Sequence, residues 1–154
     1  MKAQIVNETA VKSSWSFIQW WTRWSWKQLK KKRPDLIRPF IDSKKLVVAI
    51  TNEKRMRELN GQFRKKNYAT DILSFEAVEK GELGQLILCW PVVKKQAKEH
   101  GLTLEEEAGY LVLHGILHLL GLDHERSKKE EKIMMTLQDE IFEDLCQKMK
   151  PAKK

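Results

Sequence analysis

Residues 103–121, TLEEEAGYLVLHGILHLLG, constrain the fold of this chain more than any other segment. Thr103 and Glu106 stand at the spacing of a capping box, three acids occupy the positive end of the helix dipole, and Gly121 supplies a left-handed stop. Between those ends the predicted helix is apolar nearly all round, so it cannot lie on a surface. Other elements must cover it on every side. A chain of 154 residues has enough material to do so within one unit, and residues 1–154 are expected to form a single domain.

The covering elements are legible from periodicity and turn residues. AQIVNE reads as a short strand, and SSWSFIQWWTRWSWKQLKKK as a helix on which Phe17, Trp20, Trp21 and Trp24 recur at helical spacing, with Ser13 or Ser14 as its cap. RPFIDSKK is expected to be a loop and KLVVAIT a buried strand. A short helix follows, with Asn52 as N-cap, Met56 and Leu59 on one face and Gly61 as its stop. ATDILSFEA is a strand, AVEKGELG a polar turn and LGQLILCW another strand. Pro91 opens a helix that Gly101 ends. After the central helix, Ser127 and Glu130 form a second capping box for a final amphipathic helix, and KPAKK is expected to be a frayed tail, with residues 151–154 disordered. This order predicts an α+β fold: a mixed sheet of about four strands packed with helices, the central helix behind it.

Composition narrows the class. Residues 1–60 carry 14 Lys/Arg against 5 Asp/Glu, whereas residues 61–154 carry 15 against 16, so the net charge of +8 resides in the N-terminal part. Such a bias suits a polyanion, and equally serves solubility. Five of the six tryptophans fall in residues 15–26. A base-stacking platform or a membrane-interface helix would use them, but bulky rings anchoring an amphipathic helix to the core is the simpler reading. Cys89 and Cys146 stand far apart without a C-x-x-C partner, which argues against a disulfide framework and fits a reducing cytoplasm. No signal-peptide run and no stretch of roughly 18 apolar residues is present, so membrane association is not expected.

Three of the four histidines lie in HGILHLLGLDH, residues 114–124. His114 and His118 are four apart on the predicted helix, which puts both side chains on one face with β-carbons roughly 5 to 6 Å apart. The turn permitted by Gly121 lets His124 swing back beneath them. Three neutral imidazoles suit a single Zn²⁺ and leave a coordination position open, the arrangement of catalytic rather than structural zinc. The same spacing is that of the metzincin proteases, but their general base is a glutamate beside the first histidine, and here that position is Gly115. Asp123 and Glu125 flank His124 and are candidates for orienting an imidazole N–H.

These residues resemble a known family. HGILHLLGLDH is similar to the H-G-x-L-H-L-x-G-y-D-H signature of the YbeY family, metal-dependent bacterial endoribonucleases. LNGQFRKKNYATDILSF resembles a second family stretch, in which an arginine precedes a T-D-V-L-S-F strand, and LGQLILCW resembles an L-G-D-I-x-I strand. The resemblance covers roughly residues 45–145 and leaves out the tryptophan-rich part. It implies a zincin-like fold in which His114, His118 and His124 bind zinc, with Arg64 and His114 as the catalytic pair. It also implies a single-strand-specific endoribonuclease of 16S rRNA maturation and ribosome quality control. The implied partners are rRNA, the small ribosomal subunit, an assembly GTPase and a small-subunit ribosomal protein. Arginine suits that role because its planar fork matches phosphate oxygens and stays charged.

Three positions depart from the family pattern: Asn67 and Gln85 replace aspartates, and Ala69 replaces a proline. Loss of the proline should loosen the loop after Arg64. Two other readings stay open: a different zinc hydrolase, and an RNA-binding assembly factor with a structural zinc.

Overall fold

The computed structural model describes residues 1–150, so the expected tail at 151–154 lies outside the described residues. In chain order the elements are β1 (Lys2–Asn7), α1 (Ser16–Lys32), α2 (Pro34–Ile37), a 3₁₀ turn (Arg38–Phe40), β2 (Lys45–Thr51), α3 (Glu53–Arg64), β3 (Ile72–Glu76), β4 (Glu82–Cys89), α4 (Trp90–His100), α5 (Leu104–Leu119) and α6 (Lys128–Met149). The α+β class with a mixed four-stranded sheet is as expected. Strand order is β1-β2-β4-β3, with β1, β2 and β4 parallel and β3 antiparallel at the edge. No helix among the described residues is long and apolar enough to cross a membrane, and both cysteines are free.

Strand alternation splits the apolar residues into two clusters. On one face Leu46, Val48, Ile50, Leu86 and Leu88 pack with α1, α5 and α6 in the main core. On the other, Leu73 and Cys89 pack with Met56 and Leu59 of α3. β2 and β4 are therefore covered on both sides, which is why KLVVAIT and LGQLILC read as near-continuous apolar runs. β1 is tied to α1 by Gln19, whose side chain accepts from Ala3 N–H and donates to Ala3 C=O.

The central position of α5 is borne out: Leu113, Ile116 and Leu117 are fully buried, and the Thr103–Glu106 capping box forms in both directions. Its cover by α1 depends on one close approach. A β-carbon at Gly109 would overlap the indole of Trp21, so the glycine is what allows that fully buried ring to lie on α5. Trp21 also stacks on Phe142 of α6 at 5.7 Å. The tryptophans of α1 thus serve mainly as core anchors.

Several boundaries differ from the sequence expectation, each for a tertiary reason. Neither Ser13 nor Ser14 caps α1; Trp15 holds the N-cap position in a left-handed conformation (φ 54°) because its ring is drawn into the core, edge-on to Trp90 at 4.8 Å. Gly61 does not stop α3, which runs on to Arg64 and turns at Lys65 (φ 56°), whose N–H bonds to Asn60 C=O. The supposed loop RPFIDSKK contains the 3₁₀ turn, and the polar turn before β4 ends sooner, at Glu82. Ser127 caps α6, but only half of the second capping box forms, because the Glu130 carboxylate faces Arg126 at 3.8 Å instead of returning to the cap.

Candidate metal centre

His114 and His118 project from successive turns at the C-terminal end of α5. Gly121, with φ 99°, takes the reversal that follows. His124 returns beneath the helix, its ring centroid 5.4 Å from that of His114 and 5.2 Å from that of His118. One ring nitrogen from each of the three lies within 4.8 Å of the others, a group that can bind a metal. The Nε2 atoms of His114 and His118 are 3.2 Å apart. Two nitrogens bound tetrahedrally at roughly 2.0 to 2.1 Å stand about 3.3 Å apart, so this separation already suits a shared ion.

The protonation states suit it too. Burial, followed by the neighbouring imidazoles, pushes His118 down to about 4. Burial likewise lowers His114. Both rings are therefore neutral near pH 7 and have lone pairs to offer. The tautomer of His114 is set from outside the helix: its Nδ1 donates to Gln138 Oε1 at 3.0 Å, which leaves Nε2 to face His118. Gln138 is fully buried on α6.

Asp123 and Glu125 do not take the orienting role considered for them. Asp123 Oδ1 accepts from the backbone N–H of Glu125 at 2.8 Å, and its other oxygen faces Arg126 at 3.7 Å. Glu125 comes no closer than 4.0 Å to His124 Nε2. Among the described residues, His124 Nδ1 is buried without a hydrogen-bond partner. The orienting partner found in the structure, Gln138, was missed in the sequence reading. Its signal was available: Met134, Leu137, Ile141 and Leu145 mark the buried face of α6, and Gln138 is a polar residue in that stripe.

The histidines open onto a cleft of about 550 Å³ whose other walls are the end of α3 and the edge strand β3. Arg64 lines it, exposed on the last turn of α3, together with Thr70 and Asp71. Asp71 was likewise missed, since one acid before a strand carries no signal by itself. The extension of α3 past Gly61 is what places Arg64 on a helix end at the cleft. Asn67, Ala69 and Gln85, the three departures, do not line it. The loop after Arg64 is also better held than loss of a proline suggests. Asn60, almost completely buried, donates its side-chain amide to Tyr68 C=O at 2.8 Å.

Gly115 faces the sheet. A β-carbon there would stand 2.5 Å from a Leu86 methyl and 3.1 Å from Ile72 Cδ1, so α5 could not approach β4 with a glutamate at this position. The carboxylate base of a peptidase is excluded by packing as well as by composition.

The family model for Endoribonuclease YbeY matches residues 7–146. The chain belongs to the YbeY family. An Endoribonuclease YbeY from Bdellovibrio bacteriovorus is 43% identical over 149 residues, covering 97% of this chain and 98% of that protein. Another from Persephonella marina is 46% identical over 111 residues, covering 68% and 72%. The solution structure of a Thermotoga maritima protein superposes with a TM-score of 0.53 at 27% identity, covering 99% of each chain. The YbeY match begins at residue 7 and so includes α1, beyond the stretch in which the family motifs were visible.

Proposed function

We propose that this chain is a zinc-dependent endoribonuclease that hydrolyses phosphodiester bonds of single-stranded RNA. The observation that carries this reading is the meeting of three imidazoles and an exposed arginine in one cleft of a YbeY-family chain. His114, His118 and His124 would hold one Zn²⁺, with Gln138 fixing the tautomer of His114. Bound there, zinc supplies Lewis acidity toward a phosphoryl oxygen and lowers the pKa of bound water. Because all three ligands are neutral, the site keeps a positive charge toward an anionic substrate. Arg64 holds a phosphate oxygen and offsets the charge that develops during cleavage. With His114 it forms the proposed catalytic pair. The choice of zinc over another divalent ion rests on the all-imidazole donor set.

By resemblance to its family, we place the activity in 16S rRNA maturation, ribosome biogenesis and ribosome quality control in the cytoplasm. Ribosomal RNA within the small subunit is the substrate, and an assembly GTPase and a small-subunit ribosomal protein are the proposed partners. The test is a structured rRNA fragment incubated with metal-verified protein and with its His114→Ala and Arg64→Ala variants, cleavage and binding being followed separately. Cleavage is expected to require both residues, Arg64→Ala losing about 10²- to 10³-fold in rate, while binding persists. A wild-type protein that binds the RNA with zinc present and never cuts it would leave the assembly-factor reading instead. Cleavage of casein would favour a different hydrolase.

A further inference from the structure

Among the exposed large hydrophobic side chains of the described residues, only two are aromatic, Phe63 at 56% and Tyr68 at 54% exposure. Both fall within FRKKNY, residues 63–68, where they bracket Arg64, Lys65 and Lys66. All three cations are exposed, and none enters an ion pair among the described residues. Elsewhere the chain hides its large rings: Trp15, Trp21, Trp26 and Trp90 are buried, and Trp20 and Trp24 are half-buried. Two open rings around three such cations, in the segment between the cleft residues Phe63 and Thr70, are therefore not a general property of this surface.

The Phe63 ring and the Tyr68 backbone are also held in place. Phe63 lines the cleft and packs edge-on against Phe75 of β3, centroids 5.0 Å apart at 72°. Tyr68 stands two residues before Thr70, which lines the same cleft, and its backbone is pinned by the buried Asn60 amide. A second bond, Lys66 N–H to Asn60 C=O at 3.2 Å, holds the middle of the segment. Aromatic groups fixed in advance lose little freedom on binding.

We propose that Phe63 and Tyr68 form a base-stacking rim that receives unpaired bases of single-stranded RNA, whose phosphates run along Arg64, Lys65 and Lys66. Aromatic faces beside a basic track bind single strands with little sequence preference, because every base has a π-face. A duplex hides those faces within its own stack, so the rim selects unpaired segments for the cleft. It rests on the endoribonuclease reading for its biological use, but it is testable without cleavage.

The probe is a short 2′-O-methyl RNA with 2-aminopurine at a central position, titrated with zinc-loaded protein and recovered intact afterwards. Wild type is expected to quench the 2-aminopurine as the base stacks. Tyr68→Ala and Phe63→Leu, the latter keeping apolar contact with Phe75, should each weaken binding about ten-fold. Tyr68→Phe should restore it. An abasic strand should bind wild type as weakly as the intact strand binds Tyr68→Ala, which makes the same deletion without altering the protein. On cleavable RNA the loss should appear in KM, with kcat nearly unchanged.

If both variants bind and cut single strands like wild type, the rim proposal is overturned and the nuclease reading stands. If no protein cuts RNA but ring-dependent quenching persists, the nuclease reading falls and the rim stands. Equal loss of binding to a preformed duplex would also overturn the proposal, because stacking on unpaired bases predicts no such loss.

Discussion

Gln138 shows how one buried amide can govern a site built on another helix. An amide oxygen can only accept, so its bond to His114 Nδ1 keeps the proton there and the lone pair on Nε2, facing His118. Gln138→Leu keeps the volume and removes the acceptor. It should lower zinc affinity about 10- to 100-fold, the usual effect of losing such a partner, and chelator competition reads this without any activity assay. Unchanged affinity would mean that helix geometry alone orients the ring. At the same scale Gly115 is needed for its missing side chain, since Leu86 occupies the space a β-carbon would fill. A Gly115→Glu variant made to install a protease base is therefore expected to fail to fold, rather than to gain casein activity.

Between elements, two contacts fix α5 against its neighbours. The Trp21 ring lies where a side chain at Gly109 would be, so Gly109→Ala forces α1 and α5 apart and should destabilise by about 1 to 3 kcal/mol in a urea melt. Stability equal to wild type would show that α1 can shift without loss. On the other side, His100 of α4 bonds through Nδ1 to Glu107 Oε2 of α5 at 2.8 Å, a carboxylate that is 1% exposed. That hydrogen bond, and then the charge of Glu107, raises the His100 pKa above its ordinary value. A raised folded-state pKa stabilises fully below the unfolded value of about 6.5, and the gain is lost as pH rises through the folded value. The stability gap between wild type and His100→Ala should therefore narrow as pH rises above about 6.5. A gap that widens instead would show that the pair stabilises through the neutral imidazole.

Across the whole molecule, the charge bias of the sequence is partly consumed within the fold. Lys32 at the basic end of α1 faces Glu140 and Asp144 of α6 at 3.9 and 3.6 Å, and Lys45 faces Glu79 at 3.7 Å. Lys27 and Lys148 both lie over the Trp24 ring, at 4.6 and 4.0 Å from its centroid. The basic run ending α1 is thus in part a clamp onto α6, while the cations of residues 64–66 enter no ion pair among the described residues. The expectation of a single domain has a direct test. Tryptophan fluorescence, dominated by α1, and far-UV circular dichroism should report one coincident unfolding transition. Zinc at a thousand-fold excess over its Kd should raise the stability by about 4 kcal/mol, and a chelator should reverse it. Separate transitions by the two probes would divide the chain.

The elements and the metal ligands were legible because their signals are local. The capping box at Thr103, the β-branched run of β2 and the i, i+4 histidines depend on neighbours a few residues away, and short-range geometry decides them. The ends of α1 and α3 were not legible, because Trp15 is placed by Trp90 and the turn after Arg64 by the buried Asn60. Gln138 reaches His114 across 24 positions of sequence, and Phe63 joins the cleft only once α3 ends beside β3. Residue types and their spacing along single helices were enough to indicate a three-histidine centre. Which groups orient it and line its approach depended on how separate elements pack, since hydrogen bonds and ring contacts across elements leave no periodic trace in the chain.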